Sequence, residues 1–65
     1  MSAPHLDILK RERDGNFVWL EAAQDLQRAK LRLEELARRD PGEYFVFDQK
    51  AQQIVATLGV AAAEL

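Results

Sequence analysis

Apolar positions recur at strand spacing in two separate stretches, with a helical period between them. From Leu6 to Glu21, the residues Leu6, Ile8, Phe17, Val18, Trp19 and Leu20 are apolar, and several are β-branched or aromatic, which predicts a pair of strands. Between them Asp14-Gly15 signals a hairpin, because glycine accepts a positive φ at no steric cost. A three-residue loop of Arg13-Asp14-Gly15 sets Leu9 opposite Trp19 and Ile8 opposite Leu20, whereas a two-residue loop shifts the pairing by one and changes the facings. The first register is preferred, since it gathers Leu6, Ile8, Val18 and Leu20 on one aliphatic face.

From Ala22 to Arg39 the period lengthens. Ala22, Leu26, Ala29, Leu33, Leu36 and Ala37 fall within one stripe of a helix, opposite Gln24, Arg28, Arg32, Glu35 and Arg39. Leu31 projects away from the stripe. Early acids (Glu21, Asp25) and late bases (Arg38, Arg39) complement the helix dipole, and Glu34–Arg38 and Glu35–Arg39 are i,i+4 pairs in the favourable order. Asp40-Pro41-Gly42 ends the helix, because a residue before proline is pushed out of the α region. Strand character returns in Tyr44-Phe45-Val46-Phe47 and in Gln53 to Leu58, joined by a turn at Asp48-Gln49-Lys50-Ala51. Gly59 closes the last strand, and Val60 to Leu65 form a tail of small residues.

The expected fold is therefore α+β, in the order ββαββ, with one helix packed across one face of a four-stranded sheet. Residues 1–65 make one small domain with an ordered core over about 5–58. A right-handed crossover that sets the first and last strands side by side gives the strand order 2-1-4-3. By order of elements alone the chain is similar to the immunoglobulin-binding domains of protein G, without a shared binding motif. Asp14-Gly15, Val18-Trp19-Leu20-Glu21-Ala22, Asp25-Leu26, Ala29-Lys30, Glu35-Leu36-Ala37 and Pro41-Gly42-Glu43-Tyr44-Phe45-Val46-Phe47-Asp48-Gln49 together cover most of the chain. In these residues it resembles a group of small uncharacterised bacterial proteins. The resemblance implies a bacterial source and an autonomous domain, and it carries no activity, ligand or site residue to this sequence.

At 65 residues, a chain buries only about 60% of the surface its unfolded form exposes. Domains of this size usually add disulfides, a metal or a partner. Cysteine is absent, which leaves packing or oligomerisation. Nine basic residues against 11 acidic ones give a net charge of −2, so no global electrostatic footprint for nucleic acid or anionic lipid exists. Met1 to His5 lacks the pattern of a signal peptide and no apolar run reaches the roughly 20 residues of a membrane span, so the expected location is cytoplasmic.

A lone helix shields one side of a sheet, yet both sides read as apolar. In the preferred register Leu6, Ile8, Val18 and Leu20 meet the helix with Phe45, Phe47, Ile54 and Leu58. The reverse side carries Leu9, Phe17, Trp19, Tyr44, Val46 and Val55, a patch larger than a monomer usually leaves in water. These six residues are the candidate interface, with a second copy of the chain, or else an unidentified protein, as the expected partner and Trp19 as its anchor. The competing expectation is that the C-terminal tail, or arginine and lysine stems, cover that side.

Other chemistry has less to work with. The second reading is a small regulatory nucleic-acid binder that uses Lys10, Arg11, Arg13, Arg28 and Arg32 with stacking on Phe17, Trp19 and Tyr44. Interspersed acids favour a solvated, ion-paired surface instead. His5 and Asp7 make a poor metal pair without a third ligand. With no cysteine, one histidine and Ser2 near the chain end as the one serine, a nucleophile–base arrangement has little to draw on. No catalytic residue, metal or cofactor is expected.

Overall fold

The computed structural model describes residues 5–59. Its elements are β1 (Leu6–Arg11), β2 (Phe17–Ala23), α1 (Leu26–Arg39), β3 (Glu43–Asp48) and β4 (Gln53–Leu58). They form the expected two-layer α+β arrangement of one helix on one four-stranded sheet. No helix among the described residues is long and apolar enough to cross a membrane. The expected tail at 60–65 lies outside the described residues.

The strand order is β2-β1-β3-β4 rather than 2-1-4-3, and every neighbouring pair is antiparallel. A strand flanked on both sides has its side chains partly covered by its neighbours even on the face the helix leaves open. Tyr44 to Phe47, four apolar residues in succession, use that cover, with Phe45 buried on the open face, whereas β4 carries the exposed Gln53 and Thr57, so β3 takes the place beside β1.

The first hairpin closes through the three-residue loop, with Leu9 opposite Trp19 as expected. Gly15 has a φ of 91°, its N–H donates to the Glu12 carbonyl, and the Glu12 N–H donates to the Asn16 carbonyl. Beyond Leu9 the pairing departs from expectation. A bulge makes Leu20 an extra residue, and Ile8 faces Glu21 instead.

The helix begins four residues later than its apolar stripe suggests. Ala22 and Ala23 extend β2 and pair with Asp7 and Leu6. Asp25 is the N-cap, its carboxylate accepting the Arg28 backbone N–H at 2.8 Å. Glu35 pairs with Arg32 rather than with Arg39. At the C-terminus the Asp40 N–H donates to the Leu36 carbonyl.

The core is Leu6 and Ile8 of β1, Tyr44 and Val46 of β3, and Ala29 and Leu33 of α1. Phe45, Phe47, Tyr44 and Val46 are therefore reversed from the expected facing. The Tyr44 hydroxyl accounts for this, since a buried hydroxyl needs an acceptor and the helix end offers unpaired carbonyls. It donates to the Asp40 carbonyl and lies 3.4 Å from the Leu36 carbonyl. A second bulge makes Val55 the extra residue of β4, which packs Val55 against the core and turns Ile54 outward.

Tyr44 and Lys10 carry a pH dependence. Burial raises the Tyr44 hydroxyl above its usual value, against the opposing pull of Lys10. The hydrogen bond to Asp40 raises the Lys10 ammonium, and burial opposes it. Both groups hold their protons more tightly folded than unfolded, so their contribution is complete below about pH 10 and is lost as pH rises through the folded values. As far as these groups set it, the urea midpoint should hold up to about pH 10 and fall above it. Tyrosinate absorbance, which reads the single Tyr44, should titrate above the model-peptide value of about 10. A titration at or below that value would contradict the buried placement.

Candidate functional site: the uncovered face of the sheet

Residues directly opposite in an antiparallel ladder share a face. Leu9 pairs with Trp19 on one side and Phe45 on the other, Arg11 with Phe17 and Glu43, and Asp7 with Ala22 and Phe47. On β3, Phe45 pairs with Thr57 and Phe47 with Ile54. All of these lie on the face turned away from α1. Three of the six expected interface residues, Leu9, Phe17 and Trp19, stand here. The other three do not, since Tyr44, Val46 and Val55 belong to the helix side, and Phe45, Phe47 and Ile54 replace them. Sequence alternation could not decide between these two sets, because every position from 44 to 47 is apolar.

The face is graded from a covered end to an open one. Phe45 is only 5% exposed because its neighbours close over it. Phe17 meets it edge-on at a centroid distance of 5.2 Å. The Arg11 guanidinium lies 5.1 Å from the Phe17 ring and 5.3 Å from the Phe45 ring, a cation–π arrangement. Arg11 Nε also sits 3.2 Å from Glu43 Oε1. An arginine thus covers this end, through its guanidinium rather than through the stem expected. Elsewhere Trp19 remains 58% exposed, Phe17 49% and Ile54 43%.

Trp19 is fixed in orientation. Its indole Nε1–H donates to Asp7 Oδ1 at 3.1 Å, and the Gln49 amide donates to Asp7 Oδ2 at 2.8 Å. One carboxylate therefore ties β2 to the β3–β4 turn across β1. This bond was not legible in the sequence, where Asp7 stood only as a weak metal candidate. His5 lies instead 3.9 Å from Asp48 Oδ1. Among the described residues no three acidic, histidine or cysteine side chains gather at a metal site.

The basic positions do not converge. Lys10 donates to Asp40 at 2.5 Å on the helix side, while Arg11 lies on the opposite face. Arg28 is 3.6 Å from Asp25, and Arg32 is 2.9 Å from both Glu21 and Glu35. Arg13 is exposed in the β1–β2 turn. An open cleft of about 850 Å³ between that turn and the α1–β3 connection mixes Lys10 and Arg13 with Glu12, Asp14 and Asp40, so neither sign of charge dominates it.

No protein-family model, curated protein or solved structure matches this chain.

Proposed function

We propose that this protein is a small cytoplasmic, non-catalytic association module whose uncovered sheet face packs against the same face of a second copy. The observation that supports this reading is the exposure of Phe17, Trp19 and Ile54 on one face, together with an indole held in place by Asp7. A rigid aromatic anchor loses little entropy on binding, and its polar edge is already satisfied here. Among the described residues, the charged ones on the strands of this face are Arg11, Glu43 and Asp7. The first two pair with each other, and the third accepts hydrogen bonds from two neutral donors, which offset part of the cost of desolvating its charge.

Strands of six residues, four abreast, project a face of roughly 20 by 19 Å. That is about 400 Å² before side-chain relief is added, against about 800 Å² per partner in a standard interface. The proposal is accordingly a dimer of modest, micromolar affinity. Light scattering on the wild-type chain at micromolar concentration should give a mass above that of one chain. An Ile54→Glu, Thr57→Glu double variant, which places charge on exposed positions of β4, should lower it without changing the circular dichroism. A single-chain mass for the wild type throughout that range defeats the proposal.

A further inference from the structure

The outer edge of β2 carries a second feature that the uncovered face does not explain. Val18, between Phe17 and Trp19, is 39% exposed, yet it pairs with Lys10, which pairs with the core residue Tyr44. It therefore lies on the helix side. Three successive large apolar residues are thus exposed at one edge, on both sides of the sheet. Along Phe17 to Ala23 there is no proline or lysine, and Glu21 is the one charge. Charged residues and proline are the usual means of blunting an edge strand. The edge at β4 differs, since only Ile54 is large, apolar and exposed there.

The hairpin fixes which backbone groups of β2 are free. The Glu12 N–H donates to the Asn16 carbonyl, which turns the Asn16 C=O toward β1, and inward- and outward-directed residues alternate along an antiparallel ladder. Val18 therefore directs its N–H and C=O to β1, while Phe17 and Trp19 direct theirs outward, away from the sheet. Beyond them the bulge at Leu20 interrupts the ladder.

We infer that β2 pairs antiparallel with β2 of a second copy, about a twofold axis at Val18. In this register Phe17 faces Trp19 of the other copy, and the free groups of both residues meet in two pairs, giving about four backbone hydrogen bonds. Moving the axis to Trp19 would set Phe17 against Glu21, beyond the bulge. Moving it to Phe17 would set Trp19 against Gly15 in the turn. With the axis at Val18, Asn16 faces Leu20, Phe17 faces Trp19 and Val18 faces itself, so no like charges oppose each other. The match of the patch to itself makes a second copy the occupant, and an isologous contact closes at two chains. The axis stands perpendicular to the sheet, so both helices fall on one side and the two uncovered faces join into one platform about twice as wide.

Both contacts involve Phe17 and Trp19, the pairing through their outward backbone groups and the face contact through their side chains. Val18 on the helix side belongs to the pairing alone, and Ile54 and Thr57 on β4 to the face contact alone, so substitutions there separate the two. The chain contains no cysteine, so Val18→Cys introduces a single thiol. Across a non-hydrogen-bonded pair the Cα atoms lie about 4.5 Å apart, within the range a disulfide spans. Under mild oxidation Val18→Cys should convert to a disulfide-linked dimer at least tenfold faster than Leu31→Cys, whose site is 57% exposed on the helix. With the face contact and the edge pairing both formed the wild type reaches four chains, and Val18→Lys, which sets two like charges opposite each other, should return it to the two-chain face dimer at unchanged circular dichroism. Combined with Ile54→Glu and Thr57→Glu it should give a single chain. Cross-linking no faster than at Leu31, or a mass unaffected by Val18→Lys, overturns the edge pairing and leaves the face contact standing.

Discussion

Ile8→Ala should leave the chain unfolded at room temperature. Ile8 is wholly buried in the middle of β1, between α1 and its neighbours on both sides. Truncating a buried isoleucine costs about 2–5 kcal/mol, through lost transfer energy and the cavity left behind. A domain below about 70 residues has a core that rarely supplies more than about 3–5 kcal/mol. The substitution therefore removes most or all of the stability. Far-ultraviolet circular dichroism should lose its helical signal, and no cooperative urea transition should remain. Leu9→Ala, one residue along the strand on the uncovered face, should retain a transition at a reduced midpoint. Equal midpoints for the two variants would show that β1 does not separate a core from an outer face.

The second large effect tests how β3 faces. Val46 is wholly buried beneath α1, and Val46→Asp would place a carboxylate there without a partner. Such burial costs several kcal/mol or forces the group to stay protonated, and either outcome exceeds what this domain can absorb. Phe47→Asp acts on the next residue, which points to the uncovered side. Its carboxylate reaches water on the side of Asp7, which it faces across the ladder, so the loss is that of a partly buried apolar side chain, about 1–2 kcal/mol, with a smaller like-charge repulsion added. Val46→Asp should fail to fold at neutral pH, while Phe47→Asp should fold with a lower urea midpoint. The reversed ranking would mean that the facing expected from the sequence is the true one.

These two residues mark where the sequence ceases to be legible. The element order, the first hairpin loop and the Leu9–Trp19 pairing could be read because Asp14-Gly15 fixes a loop and the helical period is unambiguous between Leu26 and Ala37. The start of the helix could not, since Ala22 and Ala23 suit a strand or a helix and are claimed by pairing with Asp7 and Leu6. Four apolar residues in succession from Tyr44 carry no alternation, so their facing is set by the hydroxyl of Tyr44 and the carbonyls at the end of α1. The bulges at Leu20 and Val55 have no residue marker, and each reassigns a side chain of the candidate interface. The strand order was readable in principle, because a run apolar on both faces belongs at the centre of a sheet. The expected crossover gave that place to β4.

The two bulges also disclose how the sheet is put together. Each hairpin places its first strand inside and its second outside, and each outer strand gains one residue partway along. The molecule is thus a pair of similar ribbons, set head to tail about an approximate local dyad between β1 and β3, with a single helix breaking the equivalence. Each ribbon closes through a short local turn, an event of about 1–10 μs. The seam joining them must bring together segments more than 30 residues apart, as in the pairing of Ile8 with Val46. Because it closes the longest loops of the sheet, that seam should form after the two ribbons.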